Sequence, residues 1–151
     1  MQKTIISDTS CLILLDKLEL LNILQQLFKE VLITSIIAEE FGEPLPSYIK
    51  VANPQDQIYS ALLQTMVDKG EASAIALAIE QKGSLVILDD LKARKIATEL
   101  GLHITGTIGI LIDAKISGYI NSVKPILAKI KETNFRINPD FEAQILKACG
   151  E

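Results

Sequence analysis

The sequence predicts an α/β fold with a mostly parallel central sheet, and three observations lead there. The runs Lys3-Thr4-Ile5-Ile6-Ser7 and Ser84-Leu85-Val86-Ile87-Leu88 are continuously apolar at their centres, as strands buried on both faces must be. Between such runs the apolar residues return at helical spacing. Finally, Ser84 to Leu88, the helical stretch Leu91 to Leu100 and the brief strand Leu102 to Ile104 form a strand, helix, strand crossover. A crossover of that kind joins parallel strands.

Taken in order, the first strand is followed by helices over Ser10 to Asp16 and Leu18 to Leu27, joined at Lys17, with Leu20, Leu21, Leu24 and Leu27 on one face. Glu30 to Ile33 is a short strand, and Ser35 can cap the helix carrying Ile36, Ile37, Glu39, Glu40 and Phe41. Gly42 to Pro46 breaks the pattern. Tyr48 to Ala52 suits an edge strand, and Gln55 to Val67 and Glu71 to Gln81 suit helices on either side of an Asp68-Lys69-Gly70 turn. After the crossover, Thr105 or Thr107 starts a helix to about Ile116, and Val123 to Thr133 and Pro139 to Cys149 supply two more.

With 151 residues the chain is expected to be one domain over 1–151, with a helical tail from about residue 121. Hydrophobic residues at 48% and charged residues at 23% exclude a disordered chain. A net charge of -4 argues against broad attraction to nucleic acid, although a local basic rim would not show in a sum. Cys11 and Cys149 form no CxxC pair and read as reduced thiols. No signal peptide is apparent, and the longest apolar run, Cys11 to Leu15, is too short to span a bilayer. These features predict a soluble, cytoplasmic protein.

Asp8, Glu40, Glu71 and Asp90 each stand where an apolar run ends or a helix begins. In a parallel sheet the strand ends share one edge, so distant carboxylates can converge in the crevice there. Close anions repel unless a proton or cation sits between them. Hard divalent ions meet that need, since magnesium is bound by a few carboxylates, waters and phosphate oxygens, and it can activate water against a phosphoryl group. Each acid also has a plainer explanation. Asp8 can cap a helix, as can one of Asp89 and Asp90; Glu39 and Glu40 suit a solvated face; Glu71 suits the positive end of a helix dipole.

The joint pattern decides between them. Ile6-Ser7-Asp8-Thr9-Ser10, Ile37-Ala38-Glu39-Glu40-Phe41, the stretch Gly70-Glu71-Ala72-Ser73-Ala74 and Leu88-Asp89-Asp90-Leu91-Lys92-Ala93-Arg94 occur in the order and spacing of PIN-domain proteins. The chain resembles a PIN-like nuclease of the prokaryotic toxin type, and Thr105-Gly106-Thr107-Ile108-Gly109 resembles an uncharacterised subgroup of it. The resemblance covers about Lys3 to Gly118. It implies a three-layer α/β/α fold and cleavage of single-stranded RNA with magnesium or manganese, and it implies an antitoxin protein as partner. It assigns catalysis to Asp8, Glu40, Glu71 and Asp90, and metal binding to Asp8, Glu71 and Asp90 with Asp89 as a neighbour. Thr9 and Ser10 match hydroxyl residues that support the first carboxylate or touch substrate.

Many PIN nucleases carry a further acid just past the Asp90 position, whereas Leu91, Lys92 and Ala93 follow here. One firmly held metal is therefore expected, with a second recruited by substrate. Lys92 and Arg94 can meet phosphates, although Arg94 lies off the Lys92 and Lys95 face and can instead pair with an acid. His103 suits a packed or edge position, and Asp113 a surface one. Ile126, Leu127 and Ile130 suit the core or a homodimer face, with the core favoured. The alternative function is a PIN-like module that binds RNA or protein without cutting. A phosphatase ranks last, because Asp8-Thr9-Ser10 lacks a second aspartate two residues on.

Overall fold

A computed structural model describes the backbone of residues 2–151 and the side chains from Thr4 onward. Five strands form one sheet: β1 (Gln2–Ile6), β2 (Phe28–Ile33), β3 (Ile49–Val51), β4 (Leu85–Ile87) and β5 (His103–Thr105). Their order is β3-β2-β1-β4-β5, and every pairing is parallel. In register, Ile6 lies between Leu32 and Val86. The chain thus builds outward from β1 on one side, then returns to lay β4 against its other side. The gap between the ends of β1 and β4 is the topological switch point, where an open parallel sheet leaves a crevice for ligands.

Helices flank the sheet in two groups. On one side α3 (Ser35–Phe41) packs between α1 (Thr9–Lys17) and α5 (Lys69–Glu80), and α5 also meets α4 (Gln57–Leu63) and α6 (Leu91–Glu99). In the other group α2 (Ile23–Leu27) and α9 (Pro139–Ala148) both pack on α7 (Thr107–Ile116). A short α8 (Lys124–Ile130) precedes α9. The arrangement is the expected three-layer α/β/α fold. In α5 Gly70 and all of Ala72 to Ala78 are buried, so this helix is apolar nearly all round, as a helix enclosed by neighbours must be. Its small residues let α3, α4 and α6 approach closely. Among the described residues no helix is long and apolar enough to cross a membrane.

Several boundaries differ from those the sequence predicts. The second helix begins at Ile23 and not at Leu18, because the first ends in a reverse turn: Leu20 N–H donates to Leu15 O at 2.8 Å and Glu19 N–H to Asp16 O at 3.0 Å. That double closure places Glu19 at φ 58°, a position usually filled by glycine. The fourth helix is confined to Gln57–Leu63. Upstream of it, Glu80 accepts the N–H groups of Gln55 and Asp56 at 2.9 and 3.0 Å, and the Asp56 side chain caps the helix. Lys69 and Gly70 belong to the first turn of α5, with Asp68 as its cap. The second strand starts two residues early, at Phe28.

Thr34, not Ser35, caps α3. Ser35 instead donates from its N–H and its Oγ to Asn53 Oδ1, both at 2.9 Å. Thr34 Oγ1 accepts from Ile37 N–H at 3.2 Å and stands 2.7 Å from Ser73 Oγ. Because the Ser73 hydroxyl donates to Gly70 O at 2.7 Å, the proton between the two hydroxyls is Thr34's. This fully buried link fastens α3 to α5. Thr34→Val keeps the shape but removes the cap and the donated bond. It is expected to lower unfolding stability by about 1 to 3 kcal/mol, read from chemical denaturation.

Candidate functional site

Asp8 stands two residues past β1 and caps α1 from a buried position, 3% exposed. Its Oδ1 accepts from Cys11 N–H at 3.0 Å, and its Oδ2 accepts from Asp89 N–H and from Ser10 Oγ, each at 3.2 Å. Asp89 lies just beyond β4 and is held in turn by Thr107, whose N–H reaches Asp89 Oδ1 at 2.9 Å and whose hydroxyl reaches Oδ2 at 2.5 Å. Ser10 Oγ also lies 3.4 Å from Asp89 Oδ2. Its single proton can serve only one carboxylate at a time. Burial, reinforced by the charge of Asp89, lifts the Asp8 carboxyl from its ordinary 3.8 to about 7.

A second set of acids faces this pair from α3 and α5. Asp68 Oδ1 caps α5 through Glu71 N–H at 2.9 Å. Glu71, half-buried, is raised from its ordinary 4.5 to about 7 by desolvation first and then by Asp68, Asp90 and Asp8. Glu40 accepts from Thr9 Oγ1 at 2.5 Å. Its carboxylate lies directly over Gly70, where any Cβ would collide with Oε1. The Glu40 carboxylate keeps this position only with glycine at 70, since any Cβ there would push it aside. Asp8, Thr9, Ser10, Ile13, Glu40, Asp68 and Glu71 line one pocket of about 270 Å³.

The expected residues therefore divide. The pocket brings together Asp8, Glu40 and Glu71 with Thr9 and Ser10. Asp90 caps α6 through Ala93 N–H at 3.0 Å and reaches the site by its charge on Glu71. Asp89 is the inward one of the pair. Lys92 is exposed on α6. Arg94 donates from Nη1 to Leu88 O at 2.8 Å and has no acidic partner among the described residues. Two residues were overlooked in the sequence: Asp68, whose Asp-x-x-Glu spacing to Glu71 is a cap signature, and Thr107, which follows the last strand at the same sheet edge. His103 and Asp113 lie at the surface, and Cys11 and Cys149 are free and buried.

Among the described residues the only ion pairs are Lys115 with Glu151 and Lys131 with Glu142. None of Asp8, Glu40, Asp68, Glu71, Asp89 or Asp90 has a basic partner. Nor do any three acid, histidine or cysteine side chains among the described residues close on one point as a ready metal cage. Magnesium does not require that, because it keeps most of its waters and binds through one or two carboxylates. An all-oxygen donor set with unneutralised charge fits such an ion.

The DUF3368 family model, described as a PIN domain, matches residues 4–151. No curated protein matches the chain.

Gly70→Ala is expected to displace the Glu40 carboxylate and break the bond it accepts from Thr9 Oγ1, seen as a repositioned Glu40 side chain in a crystal structure of the variant. The shifted acids also set a pH dependence. Because Asp8 and Glu71 have folded values above their unfolded ones, each contributes stability in full below about pH 4 and loses it as pH rises through about 7. The metal-free melting temperature should fall between about pH 5 and about pH 8, and manganese should restore it at the higher pH only, as scanning calorimetry would show.

Proposed function

The chain belongs to the PIN-domain family, and from that premise we propose that it is a metal-dependent endoribonuclease cutting single-stranded RNA, the toxin of a toxin-antitoxin pair. PIN domains are generally nucleases, and a nuclease must bind nucleic acid. One observation carries the reading furthest: acids from four separate segments gather at the switch point without a basic partner, and two of them ionise only near neutrality. A site of that kind favours a divalent cation in place of the protons.

Asp8, Glu71, Asp89 and Asp90 are the residues to hold magnesium or manganese. The bound ion would lower the pKa of water and offset the charge that builds on the phosphoryl group. Glu40 is the carboxylate left to take the proton of the attacking water. The bond it accepts from Thr9 fixes the orientation of its Oε1. Hydrolysis of the phosphodiester in this way leaves a 5′-phosphate and a 3′-hydroxyl. Ser10 stands at the pocket wall to contact the strand, and Lys92 is exposed at the start of α6 to meet a phosphate. Arg94 spends one of its five donors on Leu88 O and keeps the others for such contacts. An antitoxin that covers this mouth would block all of these roles, and homodimers are compatible with the reading.

The second reading is a PIN module that binds RNA or protein without cutting, and the open spacing of the acids favours it. Labelled single-stranded RNA incubated with magnesium or manganese separates the two. Asp8→Asn and Asp90→Asn should each cut at least about 100-fold more slowly while keeping the wild-type circular dichroism. Thr9→Val, which only frees Glu40, should lose about 10- to 100-fold. Wild-type turnover by Asp8→Asn would remove Asp8 from the mechanism, and wild-type protein that binds RNA with no metal-dependent turnover would refute the nuclease assignment.

A further inference from the structure

Ser10 and Ile13 line the acidic pocket and also a second cavity of about 260 Å³ beside it. This cavity lies between the outer face of α1 and the segment after α8, with Leu14, Lys17, Asn134 and Phe135 completing its walls together with Thr133. The two hollows are thus neighbours that share Ser10 and Ile13 as a common wall. We propose that the second cavity is a nucleobase subsite, which takes the unpaired base of the nucleotide next to the cleaved phosphate. The proposal rests on the reading that RNA occupies the acidic pocket.

The walls have the chemistry for that occupant. Phe135 offers an aromatic face, and Ile13, 37% exposed despite its apolar side chain, lies on the opposite helix. A base stacks on such surfaces whatever its identity. Asn134 can bond a base edge through both its amide donor and its carbonyl. Lys17 forms no ion pair among the described residues and is available to the following phosphate. The volume admits one ring system and falls short of the range usual for drug-sized ligands.

The aromatic wall is also fixed in advance. Thr133 Oγ1 donates to Ile130 O at 2.6 Å and accepts from Phe135 N–H at 3.1 Å. Lys131 pairs with Glu142 of α9 at 2.7 Å, tying the start of the same segment to the last helix. Phe135 packs in part against the core. A preformed wall spares a bound base the ordering cost of building one. A phosphate bridged to the acids by a divalent cation would place its neighbouring nucleotide at Ser10 and Ile13, the wall that the two hollows share.

The test walks one abasic nucleotide along hydrolysis-resistant phosphorothioate RNAs of about eight residues, with magnesium and the full chain, reading affinity by fluorescence anisotropy. In wild type one abasic position should weaken binding about tenfold, the others little. Phe135→Leu, which keeps the packing, should bind the intact strand about tenfold more weakly and be indifferent to that position. Phe135→Trp should restore affinity, with its fluorescence quenched by RNA. A flat walk in wild type, or an unchanged abasic penalty in Phe135→Leu, overturns the subsite. Tryptophan fluorescence untouched by RNA overturns it too. RNA that is cut despite a flat walk removes the subsite alone. RNA that shows the abasic step but is never cut in its natural phosphodiester form removes the nuclease reading and leaves the subsite standing.

Discussion

Like charges placed side by side in a poorly hydrated crevice repel, and this repulsion is what the rest of the structure is built to hold in check. Asp8 is buried with Asp89 beside it, and Glu71 feels Asp68, Asp90 and Asp8 at once. Among the described residues none of these acids forms an ion pair; the nearest guanidinium, that of Arg94, stands beside Asp89 over Gly106 and bonds Leu88 O. The fold could lower the cost by turning the acids outward. Instead it fixes most of them with donated hydrogen bonds that orient each carboxylate while leaving its charge in place.

The devices that do this come from every element around the switch point. Backbone N–H groups of Cys11, Asp89, Glu71, Ala93 and Thr107 supply donors at helix starts and strand ends. Hydroxyls of Thr9, Ser10 and Thr107 supply the rest. Two glycines leave room for these side chains where they stand. Gly70 leaves the space that Glu40 fills, and at Gly106 an added Cβ would come within 2.9 Å of Asp89 Oδ1 and 3.0 Å of Arg94 Nη1. The Thr34 and Ser73 link then sets how far α3 stands from α5, and so where Glu40 meets Glu71's helix.

Much of this is readable from the chain because burial on both faces leaves a plain signature. The runs at Ile5-Ile6 and Leu85 to Leu88, and the crossover to Ile104, could be placed since parallel strands need continuous apolar residues and a helix between them. The acids at their ends followed from the shared sheet edge. What could not be read depends on tertiary bonds without a local pattern. Glu19 ends α1 in a left-handed turn with no glycine to announce it. Ser35 looks as good a cap as Thr34 until Asn53, eighteen residues away, claims its hydroxyl. Asp68 reads as a turn residue until the capping bond to Glu71 draws it into the pocket.

The choice of hydroxyls over cations as neighbours of the acids bears on what the pocket is for. A lysine or arginine in place of Thr9, Ser10 or Thr107 would form charge-assisted bonds stronger than those observed and hold the acids ionised at lower pH. It would also cancel the negative potential on which the proposed divalent-ion site rests. Hydroxyls donate without that cancellation, so the protein keeps its repulsion and accepts a folded state that is less stable near neutrality than a neutralised one. Such a sacrifice of stability at one locus, against a core that is otherwise apolar and well satisfied, is the usual mark of a site selected for binding and not for folding.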